Sequence, residues 1–328
     1  MPKKTLINRL KLSYAPVSNY DFSTVKNDEL IRSYMNSGHI YIIAQRPILT
    51  FEKFNIITGL DNITQLTFEI HQRGNPGYLD CSFPIFQESL CSHGDQSIEL
   101  RCTFIYPKPN PIPKVFPFYG LANFILKASN ENYWFSPEKL LYHYWDNAIE
   151  LEINGDISSF TQYAVHYIGK ATEQDIVKRL TGHSHLQDIL SIENPLHYGS
   201  LPTDEIVLLF FKLEENIHIN SYDYNDPVQN AVDLIMGRNT IPDINIYLDA
   251  EKALINSLKP KHNRQLYANY PKSSDGLEKF GLDGYVYSFS NAITLTYGDG
   301  EIKGSEDSYG ADSIVVKKNE KPIIIKNK

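Results

Sequence analysis

An α+β fold is expected from three features of this 328-residue chain. β-rich runs broken by Gly and Pro fill residues 1–145. A strand–turn–helix signature occupies residues 163–183, and a helix with one apolar face follows far downstream at 251–258. Short strand-like runs then succeed one another through 271–328. The chain divides accordingly into a β-rich domain at 1–145, a domain at 146–270 built as a small antiparallel sheet with flanking helices, and a small C-terminal β meander at 271–328.

In the first segment HIYIIAQRPIL (39–49), QLTFEIHQ (65–72) and SIELRCTFIY (97–106) have strand composition. Gly74-Asn75-Pro76-Gly77 and Pro107-Lys108-Pro109-Asn110-Pro111 mark turns, and helices are expected near 27–36 and 118–129. In the second segment 148–153 reads as a strand, Asn154-Gly155 as a hairpin turn, and the chain returns through 163–168 to a Gly-Lys turn. A helix opens at Thr172, where Thr172 and Asp175 have capping-box spacing, with Ile176, Val177 and Leu180 as its apolar side. Arg179 and His183, four apart, then share a helix face. IVLLFFKL (206–213) is apolar enough for a central strand. Residues 214–243 read as a polar, irregular insertion with one helix at 227–237. In the next helix Glu251, Leu254, Ile255 and Leu258 share a face, and Pro260 ends it. Glu251 therefore points inward, which is costly unless a cation or strong donors meet it. The third segment offers strands at 284–289, 292–300, 313–318 and 321–326.

Tyr167-Ile168-Gly169, the spacing from it to Arg179 and His183, and the Glu251-x-x-Leu254-Ile255 helix closing on Lys259-Pro260-x-x-Asn263 together resemble the GIY-YIG nuclease family. The combination carries the resemblance, since a tyrosine-rich strand alone can yield Tyr-Ile-Gly. It covers about residues 146–270. It implies a metal-dependent endonuclease that hydrolyses phosphodiester bonds, in DNA rather than RNA; the unusual domain at residues 1–145 suggests a setting in restriction or antiphage defence. It further implies Tyr163, Tyr167, Arg179, His183 and Glu251 as catalytic residues and Glu251 as ligand to Mg²⁺ or Mn²⁺. Lys170, Lys259, Lys261 and Asn263 would meet the substrate. The family carries its G-I-Y tyrosine on the strand before Tyr-Ile-Gly, and no G-I-Y occurs here. Tyr163, or else Tyr142 or Tyr144, is expected to stand in for it.

The residue types suit that chemistry. Phosphodiester hydrolysis needs an activated water and neutralisation of a crowded phosphate. A carboxylate holds Mg²⁺ with waters, and arginine presents a planar fork to phosphate oxygens. A tyrosine that orients or deprotonates the water needs a pKa lowered from about 10 by nearby cations, and His183 would take or relay the proton. Each residue also has a plainer reading. The tyrosines are two of 22, Arg179 and His183 suit a solvated helix face, Glu251 an exposed helical pair and Asn263 a turn.

The formal net charge is −8, which argues against tight, unassisted binding to nucleic acid. Residues 146–270 hold nine Lys/Arg against 18 Asp/Glu, yet seven of the nine lie in the motif stretches. A local basic patch suffices to hold a phosphate backbone. The acidic balance also supports another class, a nucleic-acid-binding or assembly subunit that keeps a nuclease fold without turnover. Residues 1–145 would serve recognition, docking a protein partner or a second copy. No run of about 18 apolar residues suggests a membrane span, and the basic start lacks a signal-peptide core. Three Cys, an odd number, fit a reducing, cytoplasmic setting. Cys81, Cys91, His93 and Cys102 lack zinc-site spacing and are expected as free thiols rather than as a zinc centre.

Overall fold

The computed structural model describes residues 3–59, 63–91, 97–128, 131–221, 232, 236, 240–298, 300–307 and 309–327. Strands β1 (Lys3–Leu12), β2 (Val17–Ser18) and β3 (Ile40–Gln45) come first, with helices α1 (Asn19–Val25) and α2 (Glu29–Asn36) between the last two. Then follow β4 (Leu49–Thr58), β5 (Thr64–Gln72), β6 (Tyr78–Pro84), β7 (Ile98–Phe104), β8 (Leu121–Ala128), β9 (Glu131–Phe135), α3 (Pro137–Trp145) and β10 (Glu152–Asn154). The chain continues through β11 (Gln162–Lys170), α4 (Ile176–Thr181), α5 (Ser184–Ile192), α6 (Pro202–Glu205), β12 (Ile206–Ser221) and α7 (Asp243–Leu258). It closes on β13 (Gly284–Phe289), β14 (Thr294–Tyr297), β15 (Gly300–Lys303), β16 (Ser313–Lys317) and β17 (Ile323–Ile325).

The fold is mixed α+β and mostly sheet, as expected, but its sheets do not follow the expected boundaries. Among the described residues the larger sheet has ten strands in the order β15-β14-β11-β3-β12-β1-β13-β16-β17, with β2 beside β12. It draws strands from all three sequence segments, so it is neither small nor confined to 146–270. It is also not purely antiparallel, because β1 pairs β13 and β11 pairs β14 in parallel. The C-terminal strands form no separate meander; they extend both flanks of this sheet. The second sheet has seven strands, β4 to β10, and is inserted whole between β3 and β11. Composition identifies strands but not their partners, and each of these pairings joins segments distant in sequence.

Burial explains the centre. IYIIAQ in β3 is buried at every position, and IVLLFF opens β12 in the same way. Strand alternation sends Ile40, Ile42, Val207, Leu209 and Phe211 to one face, where α7 packs with Ile246, Ala250, Leu254 and Ile255. Tyr41, Ile43, Ile206, Leu208 and Phe210 reach the other face, under α1, α4 and α5. The second sheet folds around its own phenylalanine core, closed by Leu140 and Leu141 of α3. A buried ion pair between Arg46, just after β3, and Glu138 of α3 ties the two bodies.

Local expectations fare unevenly. The helix expected at 118–129 is β8, whose length pairs with β7. The Asn154-Gly155 hairpin does not form, because Ile153 pairs with Cys81 across β10 and β6 while β11 pairs with β3. Residues 214–221 prolong β12 against β1 rather than beginning an irregular insertion. The helix expected at 227–237 falls almost entirely outside the described residues, as does His93 of the cysteine group. Cys81, Cys91 and Cys102 are not joined in disulfides.

Candidate functional site

The site is assembled where β3 and β11 run antiparallel, with Tyr41 opposite Gly169 and Ile43 opposite Tyr167. Tyr41 crosses the strand it faces. A Cβ on Gly169 would stand 2.5 Å from the Tyr41 ring and 2.8 Å from that of Tyr167. Only glycine permits this approach. The two tyrosine rings stack with centroids 6.0 Å apart.

Helix α4 brings Arg179 to them. It begins later than expected, capped by Asp175, whose carboxylate accepts from Lys178 N at 2.8 Å. Arg32 and Asn36 of α2 both donate to that carboxylate, and Asn36 Oδ1 accepts from Ile176 N. These donors fix the start of the helix at Asp175 rather than Thr172. Gly182 then ends α4, and His183 becomes the residue before α5, so Arg179 and His183 do not share one helix face. They meet on Tyr41 instead. Arg179 Nε donates to the Tyr41 hydroxyl at 3.1 Å, and His183 Nε2 lies 2.9 Å from the same oxygen. The Tyr167 ring is 5.2 Å from that of His183 and stacks on His185 at 4.9 Å.

Glu251 arrives from the opposite face of the sheet, on α7. As expected it points inward, its side chain 10% exposed, and Lys170 at the end of β11 pairs with it, Nζ to Oε2 at 3.0 Å. Among the described residues Oε2 has no hydrogen-bond partner. Burial pushes the Glu251 carboxyl above its ordinary value, against the pull of Lys170, Lys252 and Arg179. Burial works against the Arg179 charge, but Tyr41, Tyr167 and Glu251 hold its pKa above the ordinary value. Glu251 and Arg179 therefore feel each other around the margin of β11. A single buried carboxylate oxygen short of donors fits one divalent cation whose other ligands are waters or phosphate.

Asn263 has a structural task. Its side-chain oxygen accepts from Ile168 N at 2.9 Å and its amide donates to Ile168 O at 2.8 Å. It pairs like one more strand residue with the free side of β11, and it holds the turn after α7, hence Glu251, in place. Lys259 ends α7 in the left-handed conformation and is exposed. Lys261 is engaged by Glu193. Neither joins the cluster expected of them. Beyond Lys170 opens a polar cleft of about 740 Å³, lined by Lys252, Arg264, Tyr267, Lys272 and Asp275 among others.

Tyr163 is not part of the site. The register slips between Val165 and Tyr167, so the two-residue alternation breaks. Tyr163 turns to the α7 face, 2% exposed, while Tyr167 turns to the α4 face. Tyr142 lies on α3 and its hydroxyl meets Leu12 O at 3.4 Å. The tyrosine paired with Tyr167 is Tyr41, which the sequence reading passed over. Gly38-His39-Ile40-Tyr41 at the entry to β3 is the signal that marks it.

The expected lowering of a tyrosine pKa is not found. Burial drives Tyr41 upward, reinforced by Tyr167, and Arg179 offsets only part of this. Tyr167 is likewise raised by burial. His183 is pushed down to about 4 by burial and by the Arg179 and His185 charges. At neutral pH both hydroxyls keep their protons and His183 is uncharged. The trio orients a hydroxyl rather than ionising it.

The His183 shift has a consequence for stability. Its unfolded imidazole takes a proton as pH falls through 6.5, whereas the folded one resists until about 4. The unfolded state then binds more protons, so the native state loses stability across that window. His183→Asn should flatten the fall in melting temperature between these pH values. His143, also pushed down to about 4 by burial, should leave a residual slope. An identical pH profile in the variant would show that His183 does not titrate as its surroundings demand.

No family model, no curated protein and no solved structure matches this chain.

Proposed function

We propose that the chain is a metal-dependent endonuclease of the GIY-YIG kind, acting on DNA. The observation that carries this reading is the cluster of Tyr41, Tyr167, Arg179 and His183, with Glu251 near enough for its charge to act on Arg179 and Tyr167, although 210 positions separate Tyr41 from Glu251. Gly38-His39-Ile40-Tyr41 supports it further, as a G-x-I-Y strand lying antiparallel to Tyr167-Ile168-Gly169. On this reading Arg179 meets a phosphate oxygen, and Tyr41 and Tyr167 orient the attacking water. Glu251 would hold the divalent cation, which supplies charge neutralisation when bound. Lys170 leads into the cleft lined by Arg264 and Lys272, where Lys252 is held by Asp275, a path for the phosphate backbone through an otherwise acidic segment.

One observation favours a second reading. Lys170 already neutralises Glu251, and burial holds both tyrosines protonated. A subunit that binds nucleic acid without turnover would have these features. Supercoiled plasmid incubated with the full chain separates the two. Nicking that needs Mg²⁺ or Mn²⁺ and stops with chelator supports the endonuclease. Retention of DNA at fixed salt without any nicking supports the binding subunit.

A further inference from the structure

Behind the proposed catalytic face lies a second group of ligand atoms, on His166, Glu193 and His262. Each offers one atom, and these all lie within 4.8 Å of one another. His166 sits where the β11–β3 register slips, and such a bulge re-aims a side chain. Its ring is 13% exposed.

The hydrogen-bond network settles which nitrogen of His166 is free. The Gln45 amide nitrogen donates to Asn194 O at 2.9 Å and to Glu205 Oε2 at 3.2 Å. Both are acceptors, so the amide orientation is fixed and its oxygen faces His166 Nε2 at 2.9 Å. An amide oxygen only accepts, hence Nε2 carries the proton. The lone pair then resides on Nδ1, which faces Glu193 Oε1 across 3.9 Å. At this separation no hydrogen bond joins the two atoms, and in the neutral ring Nδ1 is open to a ligand. Metal-binding histidines are held this way, by a hydrogen bond from the nitrogen that does not bind. The same Glu193 oxygen accepts from His262 Nε2 at 2.7 Å, and zinc binding there would release that proton to solvent while His262 shifts to its other tautomer.

We propose that His166 Nδ1, Glu193 and His262 Nε2 bind one Zn²⁺ ion. Zinc takes imidazole nitrogen and carboxylate oxygen at about 2.0–2.2 Å in a tetrahedron, which sets neighbouring ligand atoms about 3.3 Å apart. The separations of 2.7 and 3.9 Å lie on either side of that value. Two imidazoles suit zinc and disfavour Mg²⁺, which prefers oxygen ligands. Water completes the tetrahedron. Lys261 Nζ competes from outside, 2.7 Å from Glu193 Oε1, but its side chain is 63% exposed and can swing into solvent when an ion enters.

The ion joins β11, the residue after α5 and the turn after α7. His166 directly precedes Tyr167, and His262 directly precedes Asn263, the residue that brackets Ile168. Zinc here would pin the strand carrying Tyr167 to the end of the helix carrying Glu251. It is a positioning ion, separate from the cation proposed at Glu251.

The test uses tag-free full-length protein, stripped with chelator and titrated with Zn²⁺ or Co²⁺. One equivalent should bind, cobalt should show the intense visible bands of a tetrahedral site, and zinc should raise the melting temperature. His166→Asn and His262→Asn should weaken zinc binding by about 100-fold, and Gln45→Ala, which releases the His166 ring, by about 10–100-fold. Glu251→Gln should bind zinc like the native chain. Lys261→Ala should bind it more tightly, because the competing ammonium is gone, and this surface change puts no fold at risk. Absence of stoichiometric zinc in the native chain, or unchanged binding in both histidine variants, overturns the proposal.

Discussion

Glu251→Gln should lower Mg²⁺-dependent cleavage by about 10³-fold or more while the chain stays folded. The amide keeps the shape of the side chain and removes the charge that would hold the cation. Two opposing effects govern stability. Burial makes the ionised carboxylate costly, and the amide relieves that cost. Against this, Lys170 loses its partner 3.0 Å away, but with 27% of its side chain exposed it can turn toward water. The net change should stay within about 1–2 kcal/mol in metal-free protein. A purely structural ion pair predicts a loss of about 3–5 kcal/mol on removal of one partner. The pH dependence adds a second readout. A carboxyl raised above its unfolded value keeps its proton longer in the native state, so the native chain loses stability as pH rises through that range. Glutamine does not titrate, and its relative stability should grow over the same interval. Melting curves at several pH values, plasmid nicking and DNA retention measured together decide the matter. A cleaving Glu251→Gln chain would remove the metal role.

The sequence made part of this site legible and hid the rest for identifiable reasons. Tyr167, Arg179, His183 and Glu251 are found because each lies in a short segment marked locally, by a strand end, a helix turn or a helix stop, whereas Asn263, expected at the substrate, brackets Ile168 instead. The inward aim of Glu251 followed from helical period alone. Tyr41 was hidden because the whole second sheet is inserted between its strand and that of Tyr167. Nothing in local composition announces a pairing across 126 positions. Tyr163 does not fill that place, because strict alternation would put it on the Tyr167 face and the slipped register at His166 reverses it. Four-residue spacing puts Arg179 and His183 on one helix face, but Gly182 ends α4 between them, and the contacts of Arg32 and Asn36 that delay the helix start come from another part of the chain. The three-part division failed for the same reason as Tyr41. Strands of the large sheet are recognisable one by one, while their order is decided by which apolar faces α7, α4 and α5 must cover.

Tyr41→Phe should separate these two tyrosines. Its hydroxyl sits between Arg179 Nε and His183 Nε2, 3.1 and 2.9 Å away, and so has a defined direction, on a side chain that is itself buried. Removing it leaves the ring stack with Tyr167 and the packing over Gly169 untouched. The stability cost should be about 1 kcal/mol, the net worth of hydrogen bonds to partly buried groups. Cleavage should fall by about 10²–10³-fold, the range expected for loss of a positioned proton-handling or water-orienting group. Tyr163→Phe, on the other face of the sheet, should cut at the native rate. His183→Asn combined with Tyr41→Phe should cost little more than Tyr41→Phe alone, because the histidine acts through the hydroxyl it holds. Single-turnover nicking at saturating Mg²⁺ measures all of these on one scale. Native cleavage by Tyr41→Phe would return the water-orienting role to Tyr167, whereas loss of cleavage in Tyr163→Phe with folding intact would contradict the opposite-face geometry itself.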